Sequence, residues 1–193
     1  MTIKIKEITK GSSKNGFGTG ESNYNHKYEG EVKDGQPHGK GTLFHPENVS
    51  RKGTIYYEGD WLFGKQTGKG KTYWSLGSKM YEGYFVDGEF HGKGTEFGVD
   101  ENGQDYISYE GDWVNGEYNG HGTQYNSNGS KFYEGEFKNG YRHGKGILYK
   151  SNGETCVGEF KKSEFISSNE NTMKHKNNIV SMEEVKKRKG LIL

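Results

Sequence analysis

Apolar and polar positions alternate along Tyr109-Glu110-Gly111-Asp112-Trp113. Tyr109, Gly111 and Trp113 fall on one side of this period-2 pattern, Glu110 and Asp112 on the other, as in a strand with one buried and one wet face. Asn115-Gly116 follows, and both residue types tolerate positive φ, so the pattern predicts a tight turn. Gly120-His121-Gly122-Thr123 then leads into a second strand ending at Tyr125. The predicted element is one β-hairpin.

The same hairpin recurs. Counted from the Tyr of Tyr-Glu-Gly, copies begin at Tyr28, Tyr57, Tyr81, Tyr109 and Tyr133, and a degenerate sixth begins at Cys156. Gly16-Phe17-Gly18-Thr19 matches the second half of a copy ahead of the first. Glycine returns at the third, eighth, twelfth and fourteenth positions, and these columns hold 21 of the 32 glycines. The fifth position is always large and apolar: Val32, Trp61, Phe85, Trp113, Phe137 and Phe160. A period in the twenties marks a repeat architecture and outranks any single motif.

These columns, Tyr-x-Gly-x-Trp/Phe-x-x-Gly-x-x-x-Gly-x-Gly, resemble the MORN (membrane occupation and recognition nexus) repeat over roughly Gly16 to Phe160. The resemblance implies an all-β fold, an elongated, single-layer antiparallel sheet of stacked hairpins. It also implies a mostly non-catalytic module that binds proteins or acidic phospholipids.

The domain reading has an N-terminal arm (1–15), a repeat body (16–160) and a basic C-terminal stretch (161–193). A half repeat, five hairpins and the lone first strand of a sixth predict twelve strands, about 50 Å of sheet at ~4.8 Å per strand. Met1 to Ile8 alternates and predicts a short strand capping the first edge. Two insertions, His45 to Thr54 and Val99 to Ile107, predict loops projecting from one long edge. Lys161 to Asn178 reads as a polar linker. Ser181-Met182-Glu183-Glu184 is a capping box, predicting a short helix over Met182 to Lys189. Its apolar residues Met182 and Val185 and its basic Lys186, Lys187 and Arg188 make it a candidate docking helix.

Composition sharpens this picture. Only 28% of the 193 residues are hydrophobic and the mean hydropathy is −1.08, too little for an ordinary two-layer globule. Regularly spaced aromatics, 14% of the chain, offset the deficit, since each ring can bury about 150–250 Å². Residues 28–160 carry 14 Lys/Arg against 20 Asp/Glu, while both flanks are basic. An acidic body argues against nucleic acid as a partner, because phosphate contacts need a cationic field. A single cysteine, Cys156, and no signal-peptide pattern predict a cytoplasmic protein, with a cytoskeletal or ciliary setting implied by the resemblance.

No motif predicts catalysis, a metal or a cofactor. His38, His91 and His143 share a column but alternate with Thr67 and Asn119, about 19 Å apart by the ~4.8 Å strand spacing, too far to share an ion. Gly68-Lys69-Gly70-Lys71-Thr72 lacks the first glycine and the helix of a phosphate loop. Carboxylate rows (Glu29, Glu58, Glu82, Glu110, Glu134; Glu31, Asp60, Asp112, Glu136, Glu159) read as a solvated face bridged to Lys40, Lys69, Lys93 and Lys145. Cys156 replaces a column tyrosine and reads as a packed thiol.

The expected binding surface is the long edge of the sheet or an aromatic groove lined by Tyr57, Trp61, Tyr81, Phe85, Tyr109, Trp113, Tyr133 and Phe137, a seat for an amphipathic, basic helix of a protein partner. The functional expectation is therefore a non-enzymatic scaffold. The alternative is a peripheral membrane adaptor using the basic ends.

Overall fold

The computed structural model describes residues 16–21, 25–46, 53–167, 172–175 and 178–181. Fifteen strands lie in one antiparallel sheet, and no helix occurs among these residues. The strands are β1 (Gly16–Glu21), β2 (Lys27–Lys33), β3 (Gln36–Phe44), β4 (Ile55–Leu62), β5 (Lys65–Tyr73), β6 (Lys79–Val86), β7 (Glu89–Val99) and β8 (Asp105–Val114). They continue as β9 (Glu117–Tyr125), β10 (Lys131–Lys138), β11 (Tyr141–Tyr149), β12 (Thr155–Lys161), β13 (Glu164–Ser167), β14 (Thr172–His175) and β15 (Asn178–Ser181). From β1 to β12 each strand pairs with its sequence neighbours, so the sheet is an unbroken meander.

Each hairpin turns on two left-handed residues, as at Asn115 (φ 52°) and Gly116 (φ 80°). These are the paired positive φ values of a type I′ turn, whose twist matches the flanking strands. The eighth-position glycine N–H then donates to the carbonyl of the tenth residue of the preceding hairpin: Gly64 to Pro37, Gly88 to Gln66, Gly116 to Phe90 and Gly140 to Tyr118, all at 2.9–3.0 Å. Turn and neighbour are thereby locked, and the repeats stack in fixed register.

A second device sits in the middle of every hairpin. Register shifts by a bulge just after the third-position glycine, as between Gly59 and Asp60. The extra residue is accommodated by the twelfth-position glycine in left-handed conformation, φ 55° at Gly68. The fourth-position acid fills the kink: Asp60 Oδ2 accepts the Lys69 N–H at 3.1 Å, and Glu31, Asp112 and Glu136 do the same for Lys40, His121 and Lys145. A Cβ on Gly68 would come within 2.7 Å of that carboxylate. The glycine and acid columns are thus two halves of one bulge.

The core is a row of rings. Tyr28, Tyr57, Tyr81, Tyr109 and Tyr133 are completely buried, each lying on a bare glycine pair, such as Gly111 and Gly122 under Tyr109. Each hydroxyl donates to the backbone carbonyl three residues on, from Tyr28 to Glu31 (2.7 Å) through Tyr133 to Glu136 (3.1 Å). Fifth-position rings stand edge-on between successive tyrosines. The resulting ladder runs Tyr28, Trp61, Tyr57, Phe85, Tyr81, Trp113, Tyr109, Phe137, Tyr133, Phe160, Phe165, with centroids 5.0–5.4 Å apart. Edge-to-face pairs of this kind add about 0.5–1.5 kcal/mol each beyond burial.

Several expectations are corrected. The sixth copy is not a lone strand: β12 and β13 form a complete hairpin, with Phe160 paired to Phe165 and Lys161 to Glu164. Lys162 and Ser163 occupy its turn at φ 50° and 69°, and the Ser163 N–H donates to the Arg142 carbonyl at 2.9 Å, the same stacking bond as in the other copies. The stretch read as a linker therefore contains β13 and β14, and its last residue, Asn178, opens β15; β14 pairs with β12 through Thr155–Lys174 and Cys156–Met173. The Val99 to Ile107 insertion is not a projecting loop. It lengthens β7 and β8 and closes in a turn where Asp100 Oδ1 accepts the N–H groups of Asn102 and Gln104. The other insertion is closed by His45 N–H to Thr54 carbonyl at 2.8 Å, and most of it, like the Met1 to Ile8 strand, lies outside the described residues. So does the Met182 to Lys189 helix; Ser181, its expected cap, is the last residue of β15.

Candidate functional site: a polar trough across the strands

The eight residues expected to line an open aromatic groove are Tyr57, Trp61, Tyr81, Phe85, Tyr109, Trp113, Tyr133 and Phe137. The structure brings them together, but all are 0–3% exposed. They are core and offer no surface. What closes the groove is the tenth position: Phe90 stacks on Tyr81 (3.8 Å, 9°), Tyr118 stacks on Tyr109 (3.8 Å, 19°), and the Arg142 guanidinium lies 5.7 Å from the Tyr133 centroid. Pro37 and Gln66 hold the equivalent positions and are themselves buried. This column reads Pro, Gln, Phe, Tyr, Arg, so no residue type repeats and sequence periodicity passes over it. The only available signal was its fixed distance from the turn.

With the ring side closed, the open surface is the opposite face. There the second, fourth, thirteenth and fifteenth positions surround the glycine backbones in a trough running across the strands. One section, of about 590 Å³, is lined by Lys40, Thr42, Glu58, Lys69, Lys71 and Tyr84, among others. A second, of about 660 Å³, is lined by Lys93, Thr95, Glu110, His121, Thr123 and Glu134; Glu82 borders both.

Ion pairs organise the walls. The thirteenth-position lysine reaches the fourth-position acid of the next repeat: Lys40 to Asp60 at 2.5 Å and Lys93 to Asp112 at 2.7 Å. The second-position glutamates take lysines from their own strand, Lys79 to Glu82 and Lys131 to Glu134, at 2.7 and 2.6 Å. These lysines hold Glu82 and Glu134 below the usual carboxylate range against a smaller upward push from burial, and Tyr149 helps at Glu134. At Asp112 burial pushes upward, but the Lys93 ammonium and the His121 N–H outweigh it and the carboxyl titrates low. Exposed pairs such as these contribute about 0–1 kcal/mol each. Their main effect is to fix which charges face the trough.

The expected bridging of the Lys40, Lys69, Lys93 and Lys145 column is therefore partial. Among the described residues Lys69 pairs with no carboxylate, because the fourth position of the next repeat is Tyr84, and its ammonium sits 5.5 Å from that ring. Nothing in the trough gathers a nucleophile, a base and an orienting group. No cluster of three His, Cys, Asp or Glu suited to a metal occurs among the described residues.

An open meander of identically kinked hairpins, with a ring ladder on one side and a polar trough on the other, defines a solenoid-like β-repeat protein. The MORN repeat family model matches residues 28–47, 57–79, 81–102, 109–131 and 133–155. The chain belongs to the MORN repeat family. MORN repeats serve as scaffolds that bind proteins or membranes, and the family is not an enzyme family.

Proposed function

We propose that this chain is a non-enzymatic scaffold whose polar trough holds a helical segment of a protein partner, within a cytoskeletal or ciliary assembly. The observation that carries the reading is the division of labour between faces: the first- and fifth-position rings are consumed by the core, while a regular trough of Glu, Lys, Thr and glycine backbone stays open. The sheet's backbone groups are already paired along the trough, so an occupant must satisfy its own, as a helix does. The net charge of −6 over residues 28–160, from 14 Lys/Arg and 20 Asp/Glu, disfavours an anionic membrane as the occupant.

Thr95→Arg and Thr123→Arg place long side chains in the trough without touching the ring ladder. Affinity capture from a cytoskeletal extract, with wild type and the double variant compared by quantitative mass spectrometry, tests the reading. A partner lost from a variant with unchanged thermal unfolding supports it. Retention of every partner by the variant, or equal sedimentation of both proteins with anionic liposomes, overturns it.

A further inference from the structure

We infer that the trough is bipolar and selects a partner helix carrying acidic and basic side chains about nine residues apart, seated in one direction only. The inference rests on the scaffold reading above and adds the chemistry and polarity of its occupant.

Three departures from the repeat carry it. In the third repeat Tyr84 stands where the other full repeats have Glu31, Asp60, Asp112 and Glu136. Lys40 and Lys93 each reach the acid of the following repeat; Lys69, between them, pairs with no carboxylate among the described residues and lies against the Tyr84 ring. In the second repeat Lys71 replaces the threonine found at Thr42, Thr95 and Thr123, and its nearest carboxylate, Glu58, is 3.6 Å away and also accepts from Tyr73. Lys69 and Lys71 make a cationic pole. In the fourth repeat Ile107 stands where Lys79 and Lys131 pair with the second-position glutamates of the third and fifth repeats. Glu110 is exposed there and, among the described residues, has neither an ion pair nor a hydrogen bond, making an anionic pole.

Lys69 is on β5 and Glu110 on β8, three strands apart, or about 14 Å at the ~4.8 Å spacing. A helix rises ~1.5 Å per residue, so complementary charges about nine residues apart reach both poles. Between them the Tyr84 ring, 44% exposed, offers the trough's one broad aromatic surface. An apolar side chain of the partner fits over it. A helix entered the other way sets like charges against both poles, which is how a charged interface fixes direction.

Two substitutions erase the poles while restoring what other repeats already contain, so both variants fold: Tyr84→Asp gives Lys69 its carboxylate, and Ile107→Lys gives Glu110 the lysine that Glu82 and Glu134 have in Lys79 and Lys131. The probes are three synthetic helix-forming peptides of one length, carrying acids then bases nine residues on, acids only, or bases only. Each is titrated against the full chain by fluorescence anisotropy, and the bipolar one bears a photocrosslinker at either end. The expected result is that the bipolar peptide binds about fivefold tighter than either single-sign peptide, the scale of one exposed ion pair. Tyr84→Asp or Ile107→Lys removes that advantage, and the basic end crosslinks to β8–β10. Equal affinities, or a basic end crosslinked to β4–β5, overturn the inference. So does binding that emerges only when Lys186, Lys187, Arg188 and Lys189 are changed to glutamine, because the chain itself then fills the seat. If natural partners are lost with Thr95→Arg/Thr123→Arg yet keep their affinity for Tyr84→Asp and Ile107→Lys, polarity fails and the scaffold stands.

Discussion

Phe90 lies flat on Tyr81, their ring centroids 3.8 Å apart and their planes within 9°. This contact explains how a sheet one layer thick hides its rings from water. Each tyrosine is held between a glycine pair and a tenth-position side chain that the next turn's hydrogen bond keeps in place. Phe90 also stands edge-on to Phe85 and Trp113, so its removal uncovers three rings at once. Phe90→Ala is expected to destabilise by about 2 kcal/mol, less than the ~3–5 of a fully buried phenylalanine because Phe90 keeps some exposure. Denaturant unfolding, together with quenching of Trp113 fluorescence by iodide, measures both effects.

The glycine columns separate into two kinds. A Cβ at Gly122 would lie 2.3 Å from the Tyr109 hydroxyl, and that ring is boxed in on every side. A Cβ at Gly116 meets nothing within 4 Å; only its φ of 80° asks for glycine. Gly122→Ala is therefore expected to cost about 3 kcal/mol or more, as overpacking at the upper end of its range does. Gly116→Asn should cost under about 1 kcal/mol, since asparagine tolerates the left-handed region. Comparable midpoints for the two variants would contradict this division.

The repeat, its register and the meander were legible because each depends on a residue type that recurs: glycine where rings or bulges need it, tyrosine on the glycine pair, an acid in the kink. Placing the open surface failed for the opposite reason. Whether a ring row is groove or core depends on Pro37, Gln66, Phe90, Tyr118 and Arg142, which share a position and no chemistry. The sixth hairpin was missed similarly. Ser163 and Lys162 adopt the turn without its Asn-Gly signature, and Phe165 closes the ladder from a segment whose composition reads as linker.

Ser163 is thus a non-glycine residue in a left-handed turn position, at φ 69°. An L-residue there is strained by roughly 1–2 kcal/mol, which glycine avoids, though glycine recovers part of that as added freedom in the unfolded chain. Ser163→Gly is expected to stabilise the last hairpin by no more than about 0.5 kcal/mol, because it also removes the Oγ that accepts the Arg142 N–H at 3.3 Å. Hydrogen exchange of the β12–β13 amides reads this directly, and faster exchange in the variant would count against the turn.

Alkaline pH should unfold the protein steeply. Burial raises the phenols of Tyr28, Tyr57, Tyr81 and Tyr109 well above their ordinary 10, and Tyr133 to about 12 despite the nearby Arg142. For groups raised in the folded state, stability is complete below pH 10 and is lost as pH climbs toward the folded values. Each such tyrosine removes up to about 1.4 kcal/mol per pH unit in that window. Tyrosinate absorbance should rise together with loss of β-sheet circular dichroism. Ionisation of these five without unfolding would show the ladder to be open to solvent.

Acid should loosen the other end by a different group. His26 packs edge-on to Tyr56 at 5.1 Å and lies 6.3 Å from His45, with Lys27 next in sequence. Burial lowers its pKa below 6.5, the His45 ring adds to this, and a hydrogen bond from Nδ1 to the Phe44 carbonyl opposes it. A depressed histidine favours the folded state when neutral, so its contribution is present above pH 6.5 and disappears as pH falls through the lower folded value. Thermal unfolding should shift down as pH falls below 6.5, with hydrogen exchange speeding first in β2 and β3. His26→Gln keeps a donor for Phe44 and cannot charge, so its melting temperature should vary less across that window. An identical pH profile for the variant would remove His26 from the acid response and leave the loss to the carboxylates alone.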